Sequence, residues 1–439
     1  MANSASEAGP ATGVPGPPAA TADPKPSPLL LTRDYAGWWS GNTISALGTS
    51  ISSIAFPLLV LYATGSVAKA GVITAASMIG TLATTLLGGA LADRASRKAI
   101  LIIGPVIQAA ALGTVALLAH SGRVPLFMLA AMACVSGLAN GFTLGAQAPA
   151  MRRIVPLEQR ATATSQMFGR DMAAEIVGSP LGGFLFSVAR WLPFGADAVS
   201  FLFASLGAAL IRRPLGPERR SADQQTTMIA DIRAGMTFVW QQPFLRFVLI
   251  FGSLINVTGA AFSLVFIAVV KYRGGTPTEV GLVMSVALAG GIAGAVAAPM
   301  ILRKVSARLV MYVTIWLFAL GIAGGAIAPS LWEIAIALLV CMIGLAPLNV
   351  VLEAYMIRLT PDVLIGRTSA VGRFGAMSLQ WTGPLLAGLL ADLLGPPGGA
   401  LVLAVALVPF GVSLHVAKSL HVLEQSLDEV TEFPVPQGL

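Results

Sequence analysis

Twelve mostly apolar runs, most of them 20 residues or longer and separated by charged or Pro/Gly-rich punctuation, constrain this chain more than any other feature. They fall near 35–62, 70–91, 99–119, 125–149, 162–187, 192–211, 245–270, 278–301, 308–328, 331–357, 367–394 and 398–416. About 20 apolar residues of helix cross the hydrocarbon core of a bilayer. Inside lipid every backbone amide must be satisfied within the segment, which selects helix for runs of this length. Composition agrees: 56% of the 439 residues are hydrophobic and 11% are charged, against roughly 25% charged in soluble domains. Such a chain cannot cover a water-facing surface. The expected fold is an all-α membrane protein with twelve transmembrane helices, embedded in a lipid bilayer.

The formal charge of +7 does not mark a nucleic-acid surface, because the basic residues sort by membrane side and do not interleave with aromatics. Of 27 Lys and Arg, twenty fall on one side when alternate loops are assigned to the cytosol, including Arg33, Arg152, Arg212, Arg303 and Arg358. Five (Lys69, Arg123, Arg190, Lys271, Arg273) fall on the other, and Arg170 and Arg373 lie inside runs. This positive-inside bias places both termini in the cytosol. Cys134 and Cys341 lie in apolar runs with no metal or disulfide spacing. His120, His415 and His421 sit at span ends. No GxxxxGK[ST] phosphate loop occurs, so no nucleotide, metal or other cofactor is expected, and the chain is not expected to be an enzyme.

The organisation follows from loop lengths. Residues 1–30, rich in Ala, Pro, Ser and Gly, read as a disordered cytosolic tail. The long loop with Arg212, Arg213, Arg219 and Arg220 divides a first six-helix bundle (31–211) from a second (244–417). Between them, 212–243 is a cytosolic linker with an amphipathic helix, and 418–439 is a second tail. A weak repeat supports two pseudo-symmetric bundles. Met151-Arg152-Arg153-Ile154-Val155-Pro156 is answered by Met356-Ile357-Arg358-Leu359-Thr360-Pro361, and Pro180-Leu181-Gly182-Gly183 by Pro384-Leu385-Leu386-Ala387-Gly388. Duplicated bundles with a site between them suit alternating access.

One loop carries a family pattern. Gly89-Ala90-Leu91-Ala92-Asp93-Arg94-Ala95-Ser96-Arg97-Lys98 resembles the major facilitator loop G-x-L-A-D-R-x-G-R-K, with Ser96 in place of Gly. The resemblance implies the major facilitator fold and a cytosolic latch made of Gly89, Asp93, Arg94, Arg97 and Lys98. Asp93 would meet the positive N-terminal end of span eleven. The alternative is that the bases only anchor the loop, which leaves Gly89 and Asp93 unexplained. In the second half, Arg303-Lys304-Val305-Ser306-Ala307-Arg308 lacks the acid.

Further stretches are similar to the macrolide-efflux and enterobactin-exporter branch of that superfamily: Thr64-Gly65-Ser66, Asp197-Ala198-Val199-Ser200-Phe201-Leu202, and Asp231–Trp240 followed by Pro243-Phe244-Leu245-Arg246. Gly178-Ser179-Pro180-Leu181-Gly182-Gly183 resembles the G-P-x-x-G-G element of facilitator antiporters, which goes with export; its alternative is a packing kink. Two departures stand against the usual coupling apparatus of such antiporters. Thr49 stands where many branch members carry an acid, and span four lacks the arginine typical of drug/proton antiporters.

Ionisable residues inside a membrane are costly and are functional candidates by default. Span five holds Arg170, Asp171 and Glu175. Asp171, Glu175, Gly178 and Gly182 share one helix face, with the acids about 15 and 21 Å into the span. Carboxylates one turn apart in low dielectric can exchange a proton near neutral pH; alternatively they form a fixed salt-bridge cluster. Arg170 is expected to pair across to another helix, and Arg373 is its rough counterpart. Glu353 is placed in the cytosolic vestibule, and Asp197 reads as a cap or anchor. Asn42, Asn140, Asn256 and Gln380 are candidates to orient a ligand in an otherwise apolar cavity.

The expectation is a monomeric secondary transporter in the cytoplasmic (inner) membrane of a bacterium, exporting a small amphipathic compound such as a drug, macrolide or siderophore against protons. An uptake carrier or proton symporter on the same fold, and a non-transporting sensor or assembly protein, are the alternatives.

Overall fold

The computed structural model describes residues 29–94, 96–216, 228–416, 418–424, 430 and 433. Most of the N-terminal tail thus lies outside the described residues. Fourteen helices account for nearly all of the remainder: α1 (Arg33–Thr64), α2 (Val67–Arg94), α3 (Arg97–His120), α4 (Leu126–Ile154), α5 (Arg160–Val188), α6 (Leu192–Ala209), α7 (Met228–Gln241), α8 (Pro243–Tyr272), α9 (Pro277–Lys304), α10 (Ala307–Ile327), α11 (Leu331–Ile343), α12 (Leu345–Leu359), α13 (Asp362–Ser378) and α14 (Thr382–Val416). No strand occurs among the described residues.

Local chemistry sets the ends of these helices. Pro243 and Pro277 occupy the first turns of α8 and α9, where a missing amide costs nothing. Gly65 ends α1 at φ 71°, its amide bonded to the Leu61 carbonyl, a conformation that a side chain would strain.

Two expected spans are broken. The run 331–357 is two helices meeting at Gly344, because Pro347 cannot donate the amide that would continue the ladder to Ile343. Gly344 also presses on Thr314, whose hydroxyl bonds the Gly344 carbonyl at 3.1 Å. The run 367–394 breaks over 379–381, ahead of Pro384, and its second part lies in α14. α14 continues through Gly395 (φ 76°) and Pro396-Pro397 into the last apolar run.

The expected count of twelve crossings is not reached by length and apolarity. Ten stretches among the described residues qualify, one of them the 52-residue Leu364–His415, longer than one bilayer crossing requires. α5 is not among the ten; its charged and small polar residues dilute its apolar content.

The packing scheme repeats along the chain. In the first half α1 packs on α5 and α6, α3 on α4 and α6, and α2 on α4. In the second, α8 packs on α13 and α14, α10 on α11 and α14, and α9 on α11 and α12. Helix α7, at the expected amphipathic segment, buries Phe238 and Val239 and exposes Trp240. It docks on α13, where a Cβ at Gly235 would fall 2.8 Å from the Arg367 carbonyl oxygen. The outer surface stays apolar: Phe127 is 83% exposed, Val296 77% and Trp332 72%, as lipid-facing residues are.

Candidate functional site

The two broadest contacts between helices α1–α6 and helices α8–α14 are the α5–α9 and α2–α14 seams, and both are backbone-close contacts permitted by glycine. At the α5–α9 seam, a Cβ at Gly183 would fall 2.1 Å from the Pro277 carbonyl oxygen, and one at Gly281 2.3 Å from that of Ser179. Neutral hydroxyls bridge it: Ser285 donates to the Ile176 carbonyl at 2.8 Å, and Ser187 and Thr278 lie 3.1 Å apart. At the α2–α14 seam, a Cβ at Gly71 would fall 2.3 Å from the Pro384 carbonyl oxygen, and one at Gly388 2.6 Å from the Ala68 Cα. Small residues here let helices approach closely where lipid supplies no hydrophobic drive.

The α2–α14 seam carries charge as well. Asp392 of α14 accepts from the Ser66 hydroxyl at 2.6 Å, the Val67 amide at 2.8 Å and the Ala68 amide at 3.3 Å. Beside it, Lys271 of α8 donates to the Leu61 carbonyl at 3.0 Å and lies 4.3 Å from the centre of the Tyr62 ring. Sequence reasoning gave Asp392 no role and counted Lys271 only among the five bases of the second side. Asp392 carried a usable signal, an acid inside the apolar run Leu389–Leu394.

On α5, Gly178 and Gly182 pack against Leu47, Ser50 and Ile51 of α1, so the face they share with Asp171 and Glu175 is the one toward α1. Both acids are exposed. Arg170 does not reach across to another helix; it folds back onto Asp171, Nε and Nη2 lying 2.9 and 2.8 Å from one carboxylate oxygen. An arginine beside its partner in sequence reaches it without leaving the helix, and α1 is joined nearby by the Tyr35 hydroxyl, which donates to Gln166 at 2.8 Å.

Asp197 is more than an end cap. It is 1% exposed and ties α6 to α1, accepting a short hydrogen bond from Ser52 and one of 3.0 Å from Ser200. Gly48 leaves room for it: a Cβ there would fall 2.7 Å from the Asp197 carboxylate. The neighbouring Thr49 is exposed.

The remaining expected residues spread over several helices. Glu353 in α12 and Arg373 in α13 are exposed. Asn42 and Asn256 each donate to their own helix, to the Trp38 and Gly252 carbonyls, both at 2.8 Å. Asn140 and Gln380 are half-buried. No hydrogen bond joins any two of these four amides among the described residues. Gly89, Asp93 and Arg94 lie at the end of α2, and their side chains lie outside the described residues. Arg97 is buried with its amide bonded to the Leu215 carbonyl at 3.2 Å. Lys98 bonds the Ile211 carbonyl at 2.7 Å. Both therefore fasten the chain that leaves α6, Arg97 through its backbone amide and Lys98 through its ammonium, a cation favoured beside the last carbonyls of a helix.

Comparison with known proteins agrees with this architecture. The profile of the Major Facilitator Superfamily matches residues 38–272, more than half of the chain. The chain belongs to the Major Facilitator Superfamily. It is 28% identical over 405 residues to the multidrug efflux pump Tap of Mycolicibacterium fortuitum, covering 88% of this chain and 95% of that one. It is 26% identical over 250 residues to macrolide efflux protein A of Streptococcus pyogenes, covering 56% of this chain and 60% of that one. Among solved structures, a bacterial homologue of the human lysosomal transporter Spinster, in an inward-facing unoccupied conformation, superposes with a TM-score of 0.69. It is 14% identical, covering 90% of this chain and 97% of that one. The superfamily places this chain among multi-pass membrane transporters of small molecules rather than enzymes, and these relatives bear out the resemblance to the drug- and macrolide-efflux branch.

Proposed function

We propose that this facilitator exports a small amphipathic organic compound of the drug or macrolide class, by proton antiport with alternating access. The observation that carries the reading is the match to a multidrug efflux pump along 95% of that pump's length. In this reading the bundles 31–211 and 244–417 rock about a shared cavity, and 212–243 links them on the cytosolic side. The excess of Lys and Arg on one side supports a bacterial cytoplasmic membrane with both termini, including the tails 1–30 and 418–439, in the cytosol.

Each site residue has a part in this scheme. Asp171 and Glu175 exchange the coupling proton, with Arg170 neutralising Asp171 when it is ionised. Thr49 leaves α1 without the branch's usual acid, and that puts the task on α5. Arg373 and Glu353 contribute charge on the second half. Asn42, Asn140, Asn256 and Gln380 supply the few polar contacts that orient a mostly apolar ligand. Asp93, with Gly89, Arg94, Arg97 and Lys98, latches the cytosolic side when it closes. The protein works as a monomer, with the small molecule, protons and lipid as its partners.

The test is flux into inside-out proteoliposomes with an acid lumen, using a macrolide and a fluorescent amphipathic dye. Wild type accumulates substrate against its gradient. Glu175→Gln and Asp171→Asn each lower gradient-driven uptake about a hundredfold or more, in the range seen for removal of a proton-transfer group, while substrate exchange without a gradient persists. Unchanged gradient-driven flux in both variants would eliminate the carboxylate pair. Wild-type flux indifferent to the gradient would eliminate antiport.

A further inference from the structure

The first turn of an α-helix leaves four amides without intrahelical partners. Helix α9 meets this need within its own half: Thr276 accepts from the Glu279 amide, and Glu279 accepts from the Thr276 amide in return. Helix α2 does so only in part, through the Ser66 hydroxyl, which accepts from the Lys69 amide at 3.2 Å. Its Val67 and Ala68 amides are satisfied by Asp392, which belongs to the other half of the molecule. The Leu61 carbonyl at the end of α1, which already accepts from the Gly65 amide of its own half, takes a second hydrogen bond from the other half, from Lys271. Each borrowed group has the sign that its helix end prefers: a carboxylate at the N-terminus of α2, an ammonium at the C-terminus of α1.

We propose that Asp392 and Lys271 form a charged clasp that holds the two halves together at this end and must be released for the end to open. They are positioning residues for transport, acting through the ends of α1 and α2 and not on the substrate. The inference rests on the alternating-access reading, in which the end bearing Lys271 and Asp392 faces outward.

The chemistry suits a reversible clasp. Hydrogen bonds to ionised groups are stronger than neutral ones, yet Asp392 and Lys271 are not sealed away from water. A cavity of about 560 Å³ lined by Thr64, Ser66, Lys271, Tyr272, Asp392 and Pro396 adjoins them. On separation the carboxylate, the ammonium and the freed helix ends can therefore hydrate, which lowers the cost of opening. A buried clasp would leave uncompensated charge and lock the seam. Asp392 also sits near the C-terminal end of the first arm of α14, as Asp93 sits near the C-terminal end of α2. The clasp is thus the opposite-face counterpart of the latch assigned to Asp93, so that each face would be held by a carboxylate of one half on a helix end of the other.

The experiment is a spin-label distance measurement in lipid nanodiscs. Cysteines replace the exposed Lys69 and Leu393, Cys134 and Cys341 having first been replaced by alanine. Wild type is expected to hold mainly the short distance and to populate a longer one under an efflux substrate. Asp392→Ala should raise the long-distance population about tenfold, the change that loss of a charge-assisted hydrogen bond produces, and Lys271→Met should raise it less.

A double variant separates clasp from cap. In Ser66→Asp/Asp392→Ala the first turn of α2 is capped from its own half, as in α9. It should regain wild-type thermal stability and keep the raised long-distance population. Regaining the wild-type distances along with the stability would overturn the clasp and leave Asp392 a helix cap. Asp392→Ala and Lys271→Met matching a wild type that does move would also overturn it. A wild type fixed at the short distance under every substrate would overturn the alternating-access reading together with the clasp.

Discussion

The α5–α9 and α2–α14 seams are built on one plan and finished with different chemistry. In each, a Pro-Leu-containing stretch (Pro180–Gly183, Pro384–Gly388) lies across the first turns of a neighbouring helix, with glycines on both sides removing the Cβ atoms that would clash. The α5–α9 seam is then closed by neutral hydroxyls, and its helix N-terminus is capped at home. The α2–α14 seam is closed by a carboxylate and a lysine lent by the other half. Close backbone contact thus sets how near the halves come. Whether polar groups are borrowed across the seam sets what must be given up to part them.

The largest expected effect attacks what the seams share. Gly281→Val and Gly71→Val each force a side chain onto a backbone carbonyl that has no room to yield. Each should cost about 3 kcal/mol, at the upper end of the usual range for overpacking, read as a loss of thermal stability in detergent. A tolerated valine at both would show that the seams are looser than their geometry. Next comes the home-made cap. Thr276→Ala should cost about 1 kcal/mol and leave the Lys69–Leu393 distance distribution unchanged. If it opened that seam as Asp392→Ala is expected to, the distinction between the two seams would fail. The smallest effect is predicted for Val188, which stands in the duplicated unit where Asp392 stands, 204 residues earlier. Val188→Asp places a carboxylate on an exposed position near a helix that needs no cap. It should cost about 0.5 kcal/mol, because a carboxylate has the wrong sign for the C-terminal end of α5.

These contrasts also show how far the sequence could be read. The all-helical membrane class was legible because twelve long apolar runs admit no soluble alternative, and the efflux branch because its motifs are contiguous in the chain. The breaks at Gly344 and at 379–381 were not, since Pro347 and Pro384 lie inside runs long enough to read as single spans. The span count suffers from the opposite problem: α5 carries the charges that make it a candidate site, and those same charges take it below the apolarity of a span. Spacing alone puts Asp171 and Glu175 on one helix face with Gly178 and Gly182. The partner of Arg170 was not legible, because a neighbour in sequence competes with any helix across the bundle.

Asp197 and Asp392 show a further limit. Their meaning lies in partners 145 and 325 residues away, Ser52 and the Val67 amide, which no spacing rule connects. Asp197 also marks what the clasp is not. It is sealed between α1 and α6 and, among the described residues, receives only hydroxyl donors, whereas Asp392 of α14 bonds the first turn of α2.

The most direct test of the central claim measures both faces of the same molecule. Spin-label pairs at Lys69 and Leu393, and separately at Glu158 and Arg303, report the two ends in nanodiscs with and without an efflux substrate. Alternating access predicts that the first distance lengthens as the second shortens, in the same proportion of molecules. Distances that lengthen together, or a substrate that moves neither, would contradict it.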